Sequence, residues 1–303
     1  MEKNMKRNKI YTDRAALPFR ALMTALLIGY GIICIIPFVL VVVISFTPQD
    51  AIEANGYSFF PAQLSGEAYK YLFEFSEKLI RGYGVTIFIT VVGTILNVAL
   101  TTLLAYPLSR LNFRWHKLVS LWLFITMLFG GGLVPYYILV KQYLHMGDTV
   151  WSLIIPALIV PGNVFMLRVF MQSMPESLHE SALLDGADEF TILTKIVVPL
   201  MKPGIATISL FSVLQYWNEV FTAKLFIENN KDLLPLQNIL DQYTQYINYI
   251  MQHGANSFVS SESIPSDALL FAMCLVAAGP MLFVFLFFQK YFVSGLTMGA
   301  IKN

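Results

Sequence analysis

Few residues in this chain are placed to do chemistry. His116, His145, His179 and His253 are scattered, with neither H-x-x-x-H nor H-E-x-x-H spacing, so the pattern predicts no metal site. Cys34 and Cys274 sit inside apolar runs without a CxxC partner and read as small packing or lipid-facing side chains. There is no G-x-x-x-x-G-K-[ST] phosphate loop. The run Gly130-Gly131-Gly132 lacks a following Lys and Ser/Thr and reads as close helix packing or local unwinding. With no carboxylate pair facing one cleft, no nucleophile elbow and no Cys/His pair, the sequence predicts a non-catalytic chain.

Polar residues inside apolar runs are more informative, because each costs several kcal/mol in lipid (~2–4 at mid-membrane) unless it meets a partner or a cavity. Gln215, Tyr216, Trp217, Asn218 and Glu219 form one such group. Aromatic rings beside amide and carboxylate groups suit a sugar, whose ring face stacks and whose hydroxyls hydrogen-bond. The same group would serve as an interhelical hydrogen-bond cluster, and both uses stay open. Asn163 lies beside Pro156, Pro161 and Gly162, where the backbone must kink or break and its freed carbonyls need partners. That bend either lines a pathway or is simply rigid.

The stretch HESALLDGADEFTILTKIVVPLMKPG, from His179 to Gly204, has spacing of another kind. Pro175 and Glu176 suit the first turn of a helix. Leu178, Ser181 and Ala182 share a face at i, i+3, i+4 spacing, and Gly186 supplies the backbone that ends the helix. Asp188 can cap a second segment, EFTILTKIVV, which Pro199 stops or kinks. Such a pair is a docking element or a helix-turn-helix lying on the membrane surface.

The elements that position these residues follow from composition. At 303 residues, 56% hydrophobic and 13% charged, the excess apolar side chains must face lipid. A net charge of +1 and the lack of basic runs interleaved with aromatics exclude a nucleic-acid surface. Six stretches reach the ~20 residues a span needs: 21–44, 85–108, 118–140, 151–170, 205–227 and 268–288. The first is too long for a signal-peptide core and lacks a small-x-small site, so it is read as a retained span. Lys3, Lys6, Arg7, Lys9, Arg14 and Arg20 precede it, Arg110, Arg114 and Lys117 fill the second loop, and Lys290 and Lys302 follow the last span. The positive-inside rule then makes both termini cytoplasmic and puts the stretch at 174–200 in the cytoplasm. Two long outer segments, about 45–84 and 228–267, read as structured: Ser65 can cap a short amphipathic helix around Glu67 to Phe75, and a second helix precedes an irregular loop. The chain reads as one all-α membrane domain over 21–290, with a cytoplasmic segment at 1–20 and a tail at 291–303 too glycine-punctuated to be another helix.

The spacing Glu180, Ser181, Ala182, three residues, Gly186, nine residues, Ile196, one residue, Val198, Pro199 closely resembles the EAA loop of ABC importer permeases, with Ser181 and Val198 as mild departures. PESLHESALLDGA, WNEVF and the ending FFQKYFVSGLTMGAIKN resemble the maltose-type carbohydrate family. MLFGGGLVPYYILVKQY and KDLLPLQNIL are similar to its branch for complex oligosaccharides in Gram-positive bacteria. The resemblance implies a type I importer permease fold of six spans in a bacterial plasma membrane. It implies ATPase coupling through Glu180, Ser181, Ala182, Leu183, Asp185, Gly186 and Ala187, and a tail reaching the ATPase dimer through Gly295, Thr297, Gly299 and Lys302. Partners would be a second homologous permease, a dimer of ATPase subunits holding the ATP and Mg, and an extracellular binding lipoprotein. Tyr216, Trp217, Asn218, Glu219 and Asn163 are the pathway candidates. A permease for another solute, such as peptides or phosphate, or an ion-coupled transporter using Glu219, would share parts of this pattern.

Overall fold

The computed structural model describes residues 16–74, 76–110, 112–253 and 266–300. Among them there is no strand. The helices are α1 (Ala16–Ser45), α2 (Gln49–Asn55), α3 (Glu67–Glu74), α4 (Ser76–Ser109), α5 (His116–Leu128), α6 (Leu133–Ile138), α7 (Trp151–Ile154) and α8 (Pro161–Gln172). They continue with α9 (Glu176–Leu184), α10 (Glu189–Ile192), α11 (Val198–Leu200), α12 (Lys202–Trp217), α13 (Phe221–Phe226), α14 (Leu236–His253) and α15 (Ser266–Ala300).

Three helices, over Phe19–Ser45, Glu77–Ser109 and Asp267–Lys290, are long and apolar enough to cross a membrane. Three further candidates are bent pairs: His116–Leu128 with Leu133–Tyr143 at 114°, Trp151–Ala157 with Pro161–Gln172 at 48°, and Glu189–Leu200 with Lys202–Trp217 at 82°. Counting each pair as one span gives six. The stretch 118–140 is therefore two helices, broken where Gly132 takes φ +86°. A Cβ on Gly130 or Gly131 would meet nothing within 4 Å among the described residues, and the run marks the break between the two helices. The stretch 205–227 is also interrupted: α12 ends at Trp217 and α13 starts at Phe221, because the Glu219 carboxylate accepts the Thr222 N–H at 2.6 Å and turns the chain. The glycine-punctuated tail continues α15 as helix to Ala300.

The chain divides into two compact units, 1–73 with 262–275, and 74–261 with 276–303. In the first, Ile44, Ile52, Ala68, Ala268 and Ala272 form the core, and Ser65 Oγ accepts the Glu67 N–H at 3.2 Å at the start of α3. Gln49 Oε1 accepts the Asp267 N–H at 3.1 Å and so fixes the start of α15.

In the second unit α4 is the axis, with α12, α8 and α14 packed on it. Gly93 lets α12 approach closely: a Cβ there would lie 2.6 Å from the Tyr216 ring. Gly93→Ala should cost about 1–3 kcal/mol through overpacking. Thermal unfolding of the solubilised chain checks this, and Tyr216→Leu in the same background should recover part of the loss.

Asp148 closes the loop before α7 onto the loop after α13. Its Oδ1 accepts the N–H groups of Glu228 and Asn229 at 2.8 Å and of Asn230 at 3.1 Å, and its Oδ2 accepts the Asn229 amide at 2.8 Å. Those donors, the Asn230 and Asn229 N–H groups first, hold the Asp148 carboxyl down at about 2. Because this value lies below the ordinary 3.8, the clamp is complete above pH ~4 and is lost as pH falls through about 2. Asp148→Asn should bring the acid state to neutral pH, with amide exchange at 228–230 accelerating about tenfold.

Candidate functional site

The loop between α8 and α12 is built from local chemistry. Pro175 precedes α9, Glu176 occupies its first turn, and the helix ends in a two-bond closure: Gly186 N–H to Leu183 O and Ala187 N–H to Ala182 O, both 3.0 Å. Gly186 takes φ +79°, as this closure requires. Asp188 then caps α10, its carboxylate accepting the Thr191 N–H at 3.4 Å and hydroxyl at 2.5 Å. The Thr191 hydroxyl holds the Asp188 carboxyl below its usual range. After a π-helical turn over Leu193–Val197, the arm Glu189–Leu200 meets α12 at 82°.

The side chains sort into two faces. Ala182 is buried at 7% exposure among Ile192, Leu193, Val197, Met201, Leu167 and Met171, with Ala187 packed alongside. Its small size lets α9 lie on its own core, while Leu178 and Ser181, at i, i+3, i+4 spacing with it, remain exposed. Glu180, Leu183, Asp185 and Gly186 are exposed as well. Leu184 at 89% and Phe190 at 67% exposure are also turned outward on this loop. Sequence reading missed both, although two adjacent leucines before a helix stop are one more than a single buried face uses.

A groove of about 590 Å³ separates the loop from the end of α4. Across it Tyr106 OH donates to Glu189 Oε2, which also lies 3.3 Å from His179 Nε2. The Arg110 guanidinium sits 5.0 Å from the Tyr106 ring centre. Glu189 thus ties α9 and α10 to α4, a link between residues 83 apart in the chain that no local pattern reveals.

Other candidates lie elsewhere. Tyr216 is buried and donates to Ile154 O at 3.1 Å; Trp217 is buried and donates from Nε1 to Ala277 O at 3.0 Å. Both polar atoms are therefore spent on backbone carbonyls, as in an interhelical cluster. Asn218 is exposed and returns its amide to Leu214 O at 2.9 Å; Glu219 is half-buried in the turn that separates α12 from α13. Asn163 is buried in the first turn of α8. The freed carbonyls of the proline bend do find a partner: Asn97, fully buried on α4, donates its amide to Ala157 O and Leu158 O, both at 3.0 Å, while its Oδ1 accepts the Ser212 hydroxyl at 2.7 Å. Gly295, Thr297 and Gly299 fall within α15, and Lys302 lies outside the described residues. Among the described residues no three His, Cys, Asp or Glu side chains are grouped to hold a metal ion.

Helical throughout the described residues, with bent pairs and one structured loop at a helix break, the chain has the fold of one chain of a solved ABC transporter. It superposes with a TM-score of 0.77, at 24% identity, on a chain in the crystal structure of a bacterial ABC transporter involved in the import of the acidic polysaccharide alginate, over 93% of this chain and 99% of that one. Residues 95–298 match the model of the binding-protein-dependent transport system inner membrane components, and the chain belongs to that family. It is 35% identical to the polygalacturonan/rhamnogalacturonan transport system permease protein YtcP of Bacillus subtilis (strain 168), over 94% of this chain and 98% of that protein. Protein LplC of the same strain is 36% identical over 91% and 92%. The arabinooligosaccharides transport system permease protein AraQ of Halalkalibacterium halodurans is 26% identical over 92% and 96%.

Proposed function

We propose that this chain is one of two permease subunits of an ATP-driven importer of oligosaccharides. It carries both termini and the α9–α10 loop on the cytoplasmic side of a bacterial plasma membrane. A binding lipoprotein delivers sugar to the opposite face, where the clamp between Asp148 and residues 228–230 holds two loops together. The observation that carries the reading is the loop itself: a short helix closed at Gly186, seated on its core by Ala182, and showing Glu180, Ser181, Leu183 and Asp185 outward. A firm seat with an exposed face is what a force-transmitting contact needs. ATP binding would close the ATPase dimer, move this loop, and through Glu189 and Tyr106 move α4, switching the permease pair between inward- and outward-facing states. Leu184 and Phe190 supply apolar area to the contact. The α15 extension carrying Gly295, Thr297 and Gly299 would reach the same ATPase dimer. On the pathway side, Asn218 offers an exposed amide at the end of α12, with Glu219 behind it; Tyr216, Trp217 and Asn163 shape that wall from inside.

Sugar preference by relatedness supports the oligosaccharide reading, since two of the relatives above carry sugar polymers or oligosaccharides in their names. The test is reconstitution of the purified assembly in liposomes with ATP inside and labelled oligosaccharides outside. ATP-dependent accumulation of at least one oligosaccharide is expected. Accumulation of peptides or phosphate instead would refute the sugar assignment, and accumulation driven by an ion gradient without ATP would refute the whole reading.

A further inference from the structure

The groove between the α9–α10 loop and the end of α4 continues past the loop. A second groove of about 470 Å³ runs between α4, the π-helical turn and α12, and Leu103, Phe190 and Leu193 line both. The two differ in chemistry. The second is walled by Ile95, Val98, Val198 and Ile205. Its hydroxyls are spent on the preceding turns: Thr102 donates to Val98 O at 2.7 Å, and Thr194 and Ser209 donate to Phe190 O and Ile205 O at 2.8 Å. Only Thr94 in this wall keeps a hydroxyl without a partner among the described residues. The α4 side of the groove lies within the apolar stretch Glu77–Ser109. From Leu103 back to Thr94 it covers about 14 Å of helix at 1.5 Å per residue, close to the ~15 Å of hydrocarbon in one leaflet.

The first groove begins where that stretch ends. Arg110 directly follows Ser109, and its half-buried guanidinium lies over the Tyr106 ring. It forms no ion pair among the described residues, and its buried Nε has no hydrogen-bond partner. Arg168 has a buried Nε of the same kind, but it donates from Nη1 to Ser120 Oγ at 3.2 Å and lines neither groove. On the loop side Glu189 is taken by Tyr106 and His179, whereas Glu176, in the first turn of α9, is exposed and has no ion pair among the described residues. One unmatched cation and one unmatched carboxylate thus line a single groove without meeting each other. An anion would match Arg110 and leave Glu176 alone. A head group bearing both a phosphate and an ammonium matches both, and the apolar groove that adjoins it calls for a head that carries a hydrocarbon chain.

We propose that the joined grooves hold a phospholipid with an ammonium in its head, such as phosphatidylethanolamine, its phosphate on Arg110, its ammonium on Glu176 and one acyl chain running along α4 past Leu103 to Thr94. Such a lipid touches α4 on one side and Phe190 and Leu193 on the other, and so fills the seam that the Glu189–Tyr106 contact closes. The inference needs α4 to cross the membrane and is independent of what solute is carried.

The test places the chain, purified with the subunits that accompany it, in liposomes of equal parts phosphatidylethanolamine and phosphatidylglycerol. A trace of one lipid or the other carries a photoactivatable diazirine at the end of an acyl chain, and labelled residues are mapped by mass spectrometry. The phosphatidylethanolamine probe should label residues 94–98 and 198–209 severalfold more than the phosphatidylglycerol probe. Arg110→Gln should lower that labelling roughly tenfold. Leu103→Trp, at an exposed position that lines both grooves, should block the passage and lower it by a similar factor. Lys117→Gln removes an exposed cation that lines neither groove and should change labelling by less than about twofold. Glu176→Gln should bring the two probes level. Labelling that survives both Arg110→Gln and Leu103→Trp would mean general lipid contact and overturn the proposal. Equal labelling by the two probes on the parent chain would overturn the head-group assignment. Labelling of the isolated chain that disappears when a second permease is present would give the groove to that subunit and overturn the proposal as well.

Discussion

Gly186→Asp and Glu180→Lys should each lower ATP-driven uptake at least tenfold while the chain reaches the membrane in normal amounts. Gly186 sits at φ +79°, and a Cβ there would meet nothing within 4 Å. The cost to the fold is therefore conformational only, about 1–2 kcal/mol for a side chain in the left-handed region, with Asp among the better-tolerated residues. The closure over Ala182 and Leu183 loosens and a charge is added to the outward face. Glu180 is exposed and forms no ion pair among the described residues, so its replacement is close to neutral for stability, within about 0.5 kcal/mol. A loss of uptake then belongs to docking; tenfold corresponds to about 1.4 kcal/mol of the contact. Uptake assays on membranes with the chain quantified by immunoblot decide the matter. Normal uptake by either variant would remove the loop from the coupling contact.

Asn97→Leu should destabilise the second unit by about 2–5 kcal/mol, more than any single exposed substitution. Leucine nearly preserves the volume, so the penalty comes from stranding Ala157 O and Leu158 O in a buried site, while the Ser212 hydroxyl loses one acceptor and keeps Ile208 O at 2.9 Å. Ser212→Ala should cost only about 1–2 kcal/mol, because the two carbonyls keep their donor. A double-mutant cycle on solubilised protein should show strong coupling between the two positions. Equal, independent losses would mean that the bend of the fourth span is held by packing alone.

Elements written in local chemistry were legible. Ser65 before α3, Pro175 and Gly186 around α9 and Asp188 before α10 all announce their turns, because caps and stops act within four residues. Hydropathy located apolar stretches but not their bends, since a window average is the same for a straight helix and for two helices meeting at 114°. Tyr216 and Trp217 were noticed for their polar atoms, yet the carbonyls those atoms meet, on Ile154 and Ala277, are some 60 residues away. Asn97 went unremarked for the same reason: one amide in an apolar run has no local partner, and its need appears only when the proline bend is brought against α4. Glu189, in the first turn of α10, is also the tie to Tyr106, a contact no local pattern reveals.

The central claim is that this permease is coupled through the α9–α10 loop to an ATPase it does not itself contain. The most direct measurement is to isolate the chain from its native membrane in mild detergent and identify the co-purifying proteins by mass spectrometry, with the Glu180→Lys chain in parallel. A second homologous permease and an ATPase should accompany the parent chain, and the ATPase should be depleted from the variant while the second permease remains. Recovery of the parent chain alone or as a homodimer, without an ATPase, would contradict the account.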